Sequence, residues 1–273
     1  MIELQDLSFS YDNSKTILNH ISLSFGAQKQ RVIGIMGHNG SGKSTLFLNL
    51  VGILKPTSGQ ILVDNHPIKY NKKGLRQLRR KIGIVFQDSD QQIFYSIVKD
   101  DVAFALRNLK LPEEQIEKRV EKVLKQLDIW PLRDKPIQYL SGGQKKRVAI
   151  AGILVLNSEW LLLDEPTAGL DPDGRQRMMI LIKQLVANGQ KVILSSHDMD
   201  FMYEACDYFY LLGKGHIIKE GTKDVVFDDE EVLKANKLNQ PWLIKLHQKL
   251  GLPLCNNSQE LFALRDHIHV DNL

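Results

Sequence analysis

Gly37-His38-Asn39-Gly40-Ser41-Gly42-Lys43-Ser44 decides the fold of this chain. The octapeptide fits G-x-x-x-x-G-K-[ST], a loop in which backbone N–H groups and a lysine cradle phosphates. Just before it, Arg31-Val32-Ile33-Gly34-Ile35-Met36 is a compact apolar run and predicts a buried parallel strand feeding the loop. Just after it, Leu46, Leu50 and Val51 recur at helical spacing, and Pro56-Thr57-Ser58-Gly59 is expected to end that helix in a turn. Glycines at 40 and 42 let the backbone approach a dense negative charge, and the helix N-terminus adds partial positive charge. Lys43 is expected on β- and γ-phosphate oxygens, and the Ser44 hydroxyl, with Thr45 beside it, on Mg²⁺. Composition alone produces this pattern in roughly one chain in a hundred of this length, so further segments must carry the reading.

Four do, in order: Gln87 after the apolar run Ile82-Gly83-Ile84-Val85-Phe86, then Leu140-Ser141-Gly142-Gly143-Gln144, then Trp160-Leu161-Leu162-Leu163 running into Asp164-Glu165, then Ser195-Ser196-His197-Asp198. Asp164 ends an apolar strand, where α/β sheets present their functional groups, and should hold Mg²⁺ through water. Ser141-Gly142-Gly143 is expected to open a helix running through Val148 to Leu156, making a second anion-binding helix N-terminus.

The 273 residues suit one large domain, or one domain with a small extension. A net charge of +4 does not call for nucleic acid and would not repel a nucleotide or a membrane surface. Cys206 and Cys255 lack metal-ligand spacing and do not indicate a disulfide framework, which fits a reducing cytoplasm. The best apolar run, 148–156, is far short of the ~20 residues a membrane helix needs. The start at Met1-Ile2-Glu3-Leu4 lacks the pattern of a secretory signal.

Alternation of Ile2, Leu4, Leu7 and Phe9, then Ile21, Leu23 and Phe25, predicts antiparallel strands joined by a turn at Asp12-Asn13-Ser14. Within 88–158, Pro112 is expected at a first helical position with Glu113 and Glu114 in the first turn. Ile116, Val120, Val123, Leu124 and Leu127 continue as an amphipathic helix. Strand–helix alternation resumes with Trp160–Asp164, the helix after Pro172, Lys191–Ser195 and a strand over 208–212. Short helices over 231–237 and 242–250 are split by Gln240-Pro241. The pair His267 and His269 lacks a third ligand at usable spacing and reads as a solvated tail.

The order and content of the five segments resemble the ATP-binding subunits of ABC transporters over roughly residues 1–225. The resemblance implies an α/β P-loop NTPase of ABC type: a mainly parallel sheet core, an N-terminal antiparallel β subdomain and a helical insert. The ATPase domain would span 1–227, with the insert at about 88–158, followed by a small helical extension over 228–273. ATP and Mg²⁺ are the implied cofactors. By the same resemblance, Gly37 through Thr45, including His38, Asn39 and Ser41, bind the nucleotide, and Tyr11 stacks on adenine. Glu165 is the general base and His197 the switch histidine at the γ-phosphate. Gln87 touches Mg²⁺ or the attacking water. Ser141, Gly142, Gly143, Gln144 and Asp171 act in trans on nucleotide held by a second subunit, either a second copy or a related ATPase.

The stretch 86–94, Lys145-Lys146-Arg147 and Ala168-Gly169-Leu170-Asp171-Pro172 are similar to the energy-coupling factor ATPases. That similarity implies uptake of cobalt, nickel or vitamins, with a transition-metal ion slightly favoured. It also implies a peripheral position at the cytoplasmic face of the cell (inner) membrane. Integral membrane transport subunits would dock near the segment after Gln87, with Asp90, Gln91, Gln92 and Phe94 as the lining. Soluble family members acting on ribosomes or DNA usually carry two ATPase units or very long coiled coils, and this chain has neither. Glu165 and His197 weigh against a nucleotide sensor without turnover.

Overall fold

The computed structural model describes residues 1–12, 15–27 and 30–264. The expected turn residues Asn13 and Ser14 and the pair His267 and His269 lie outside the described residues. The chain opens with strands β1 (Ile2–Ser10), β2 (Thr16–Phe25) and β3 (Val32–Met36), then helix α1 (Lys43–Leu50). Strands β4 (Ser58–Val63) and β5 (His66–Pro67), helix α2 (Lys72–Lys81) and strand β6 (Ile82–Val85) follow. Helices α3 (Val98–Asn108), α4 (Glu113–Gln126) and α5 (Gly142–Leu154) form the insert. Then β7 (Trp160–Asp164), α6 (Pro172–Ala187), β8 (Lys191–Ser195), α7 (Met199–Ala205), β9 (Tyr208–Gly213) and β10 (His216–Gly221) complete the sheets. Short helices α8 (Lys223–Phe227), α9 (Glu230–Ala235), α10 (Trp242–Leu250) and α11 (Ser258–Ala263) end the described chain.

Two sheets result. One is antiparallel, in the order β2-β1-β4-β5; the other runs β10-β9-β3-β8-β7-β6 and is parallel except for β10 on β9. The parallel strands are buried on both faces, so they read as continuous apolar runs. Their side chains nevertheless alternate between two cores. Val32, Leu161, Leu163, Val192 and Leu194 pack with the insert helices. Ile33, Ile35, Leu162 and Ile193 pack with α1 and the antiparallel sheet. Each such side chain contributes roughly 1.5–3 kcal/mol of burial. The two-sided burial fixes the strand ends that carry the loops.

In the insert, Ile116, Val120, Val123 and Leu124 form the buried stripe of α4, as their spacing predicts. Pro112 sits one position before the helix, in extended geometry, and its carbonyl accepts from Gln115 N at 2.9 Å and Ile116 N at 3.1 Å. The expected turn at Pro56–Gly59 is displaced. Helix α1 already ends at Leu50, with Val51 as its C-cap, and Ser58 and Gly59 open β4. A Cβ on Gly59 would stand 2.2 Å from the Asp6 carbonyl oxygen, so this glycine serves close strand packing rather than a turn. Beyond residue 228, Leu233, Leu238, Leu243 and Ile244 join the core that also holds the insert helices. Tyr203 Oη donates to Cys255 O at 2.8 Å, which ties that segment to α7.

Candidate active site

The phosphate loop leaves β3 and enters α1 as the sequence predicts. A Cβ on Gly37 would stand 2.4 Å from Leu212 O and 2.5 Å from Ser41 Oγ, so the loop fits only a glycine there. Gly40 has φ +82° and nothing within 4 Å of its missing Cβ, which leaves that backbone open to a ligand. Lys43 is buried, and its ammonium donates to Gly37 O at 2.7 Å and His38 O at 3.3 Å. Burial lowers its pKa, and the nearby carboxylates of Glu165 and Asp164 partly offset that. The Ser41 hydroxyl is buried without a hydrogen-bond partner among the described residues. A buried orphan hydroxyl and a lysine folded onto its own loop are polar groups suited to an anion. Ser44 is exposed, and Tyr11 is exposed at 61%. The Tyr11 hydroxyl lies 3.2 Å from Thr45 Oγ1, and its ring meets Phe9 edge-on at 4.9 Å.

At the end of β7 the two carboxylates are buried and separately held. Asp164 Oδ1 accepts from Ser195 Oγ. Glu165 has φ 48°, a conformation uncommon for a residue with a side chain, and its N–H donates to Ser195 O at 3.0 Å. Its Oε2 accepts from His197 Nδ1 at 2.9 Å and Ser196 Oγ at 3.2 Å. That pairing assigns the proton to Nδ1 of an exposed imidazole. Oε1 has no hydrogen bond among the described residues. A buried acid with one oxygen anchored and the other free can accept a proton from water. Ser44, Asp164 and Gln87 are all oxygen donors, the chemistry that fits Mg²⁺.

Gln87 is exposed after β6. Gln92, an expected docking residue, instead turns inward: its Oε1 accepts from Phe86 N at 2.8 Å and its Nε2 donates to Ile84 O at 2.9 Å. Asp90 pairs with Lys145 at 3.2 Å, and Gln91 donates to Asp88 Oδ2 at 3.1 Å. Phe94 is 70% exposed, with its ring 5.5 Å from Phe104. Asp101 holds this turn by accepting from Phe94 N at 2.7 Å and Tyr95 N at 2.9 Å, while burial raises its pKa.

Ser141 caps α5. Its Oγ accepts from Gln144 N at 3.3 Å, and Gln144 Oε1 accepts from Ser141 N at 3.0 Å, a reciprocal capping box. A Cβ on Gly142 would meet nothing within 4 Å, and one on Gly143 only Leu170 at 3.8 Å. Asp171 caps α6 through Gly174 N at 2.7 Å. Ser141, Gly143, Gly169, Leu170 and Asp171 line one cavity of about 520 Å³, to which no phosphate-loop residue contributes. The structure thus groups Lys43, Asp164, Glu165 and His197 on one side and the second glycine segment on another. Sequence reading missed Lys146: it is 4% exposed, and its ammonium donates to Glu165 O at 3.0 Å and Ala168 O at 3.2 Å. Within Lys145-Lys146-Arg147 it looks like one more solvated cation, and no local signal marks it as buried.

A parallel sheet with a phosphate loop after β3 and an acid pair at the end of β7 is the architecture of P-loop nucleoside triphosphatases. The ABC transporter family profile matches residues 18–168. Over 262 residues the chain is 49% identical to the cobalt import ATP-binding protein CbiO of Salmonella typhimurium, covering 96% of each chain. It is 46% identical over 251 residues to the energy-coupling factor transporter ATP-binding protein EcfA of Methanocaldococcus jannaschii, covering 92% of this chain and 89% of that one. The solved structure of cbiO1 from Clostridium perfringens, described as part of the ABC transporter complex cbiONQ, superposes with a TM-score of 0.77 at 43% identity, covering 92% and 95% of the two chains. This chain belongs to the ABC transporter family, as an ATP-binding subunit of the group that includes CbiO and EcfA. It binds ATP and is an ATPase coupled to transport. Cassettes of the family dimerise and work with membrane subunits. Among the described residues, no helix is long and apolar enough to cross a membrane.

Proposed function

We propose that this chain is the ATP-hydrolysing motor of an importer whose cargo is a transition-metal ion, cobalt or nickel. The observation that carries the catalytic part is Glu165: buried, adjacent to Asp164, anchored through Oε2 by His197 and Ser196, with no hydrogen bond to Oε1 among the described residues. The metal cargo is supported by likeness to a relative named for cobalt import. A vitamin cargo is the second reading, supported by likeness to energy-coupling factor relatives.

Lys43 releases its two loop carbonyls to bind β- and γ-phosphate oxygens, where the anion restores the charge that burial disfavours. Ser44, Asp164 and Gln87 would hold Mg²⁺, which neutralises phosphate charge when bound. Tyr11 stacks on the adenine. Glu165 accepts the proton of the attacking water, a role worth ~10²–10⁴ in rate. His197 Nδ1–H keeps the carboxylate in place, and its exposed ring reaches toward the γ-phosphate.

The second half-site comes from another subunit. Neither Gly142 nor Gly143 is demanded by backbone conformation or internal packing, so the need for glycine lies outside the chain, in a closely approaching phosphate. Ser141, Gly142, Gly143, Gln144 and Asp171 fill that role toward a second copy or a related ATPase. Membrane subunits dock on the surface after Gln87, around exposed Phe94, and hold the chain peripherally at the cytoplasmic face. The test is uptake by vesicles containing the membrane subunits and this chain, offered cobalt, nickel and vitamins with MgATP. Metal uptake that Glu165→Gln abolishes supports the proposal. Vitamin-only uptake shifts it to the second reading, and ATP-independent uptake removes the motor role.

A further inference from the structure

The segment 69–81 carries seven lysines and arginines and no carboxylate, although the whole chain has a net charge of only +4. Three of these cations are spent inside the molecule. Arg79 donates to Val51 O and Gly52 O, each at 3.3 Å, and so caps the end of α1. Arg76 donates to Asn108 O at 3.1 Å, and Lys81 pairs with Asp64. The side chains of Lys69, Lys72, Lys73 and Arg80 are exposed and make no hydrogen bond or ion pair among the described residues. At about 100° per residue, Lys72, Arg76, Arg80 and Lys73 fall within roughly 100° of arc on α2. Leu78 is buried and Leu75 half-buried on the opposite side. The arc is therefore purely cationic: its apolar side chains all face the core.

That arc neighbours the docking surface. Arg76 grips the C-terminal end of α3, and α3 carries Phe104, against which exposed Phe94 and Tyr95 pack at 5.5 and 5.4 Å. From this geometry we infer that the outward face of α2 is a contact surface for anionic phospholipid headgroups of the membrane in which the partner subunits sit. A protein segment is the poorer fit, because interface cores are apolar and depleted of charge, and this face has no apolar centre and no groove. A sheet of phosphate headgroups needs neither. It meets long, mobile cationic side chains with opposite charge over a flat area, and four to eight such residues mark anionic-lipid contacts. A nucleic-acid surface is disfavoured because no exposed aromatic lies within the arc for bases to stack on.

The experiment is flotation of the purified full chain with phosphatidylcholine vesicles and with phosphatidylglycerol-containing vesicles. The chain is expected to float with the anionic vesicles only. Binding should collapse as salt rises from about 0.1 M to about 1 M, where the screening length falls from ~10 to ~3 Å. Lys72→Gln/Lys73→Gln/Arg80→Gln should weaken binding at least about tenfold, since each cation near an anionic surface is worth roughly fivefold. Its basal ATPase rate and melting temperature should stay those of the parent. Neutralising Lys122, Lys183 and Lys249 elsewhere should change binding far less. Equal flotation with both vesicle types, or equal losses in the two triple variants, would overturn the inference. Capture of an oligonucleotide with no vesicle binding would also overturn it, in favour of a nucleic-acid surface. Should the α2 triple variant not fold, Lys72→Gln/Lys73→Gln and Arg80→Gln, each confirmed folded by its melting temperature, carry the same comparison: unchanged binding in both would overturn the inference.

Discussion

The ammonium of Lys146 donates to the carbonyl oxygen of Glu165 at 3.0 Å. Lys146 lies on the helix capped by Ser141, and its second bond, to Ala168 O at 3.2 Å, reaches the loop that leads to Asp171. One buried cation therefore joins the helix that Ser141 caps to the backbone of Glu165, the proposed general base. Burial lowers its pKa, with Glu165 and Asp164 pulling the other way. Its two hydrogen bonds are to backbone carbonyls, so its expected role is to position the Glu165 backbone. Lys146→Met should leave MgATP affinity near normal but lower kcat about tenfold, because one buried and one half-buried carbonyl lose their donor at ~1–3 kcal/mol each and the Glu165 backbone is no longer held. Lys146→Gln, which keeps an N–H donor, should recover much of that rate. Steady-state kinetics with the melting temperature monitored will separate the two. A loss of stability with unchanged kcat would make the lysine purely structural.

Glu165→Gln should bind MgATP and turn over slowly, with a loss on the order of 10²-fold or more. It should also accumulate a nucleotide-bound dimer, since closure needs binding and reopening needs hydrolysis. Light scattering with and without MgATP reads this directly. Hydrolysis at the normal rate would take the base role from Glu165.

Asp64 gives a pH signature. Hydrogen bonds from Lys81 and from the amino terminus hold its carboxyl at about 2, below an ordinary 3.8. With the folded pKa depressed, its contribution to stability is fully present above about 4 and is lost as pH falls through about 2. The side chain is 39% exposed, so solvent screening limits the contribution to about 1 kcal/mol or less. Denaturation midpoints of Asp64→Asn and the parent should differ at neutral pH and converge in acid.

Phe94→Glu should uncouple uptake while leaving ATP binding intact, because the ring is 70% exposed and its backbone is fixed independently by Asp101. Pull-down with a cytoplasmic helix of the membrane subunit, paired with an uptake assay, measures this. Retained docking and uptake would refute the surface.

The place of the glycine loop between a strand and a helix, the carboxylates at the end of an apolar strand and the helix start at Ser141 were legible in sequence, because each is set by a few consecutive residues. So were the strands Trp160–Asp164 and Lys191–Ser195, whose two-sided burial leaves an unbroken apolar run. What escaped depends on distant partners. Gly59 looks like a turn residue until Asp6 is brought against it across the sheet. Gln92 looks like surface until it is seen bonding to Ile84 and Phe86. Helix α2 has only Leu75 and Leu78 as a weak apolar signal amid its charges, and α11 is a single six-residue element. Lys146 was hidden by its cationic neighbours, since nothing local distinguishes a buried ammonium from a solvated one.

The shared-site arrangement proposed above has each ATP held by the phosphate loop of one subunit and the Ser141 segment of another. Mixing Lys43→Ala chains with Ser141→Arg chains tests this, each confirmed folded by its melting temperature, since loss of the Ser141 cap costs ~1 kcal/mol. Each variant alone should be nearly inactive, and verified mixed dimers, which retain one site with both halves intact, should regain ATP-dependent dimerisation and a substantial share of the parent ATPase rate. Verified mixed dimers that stay as inactive as the single variants would contradict it.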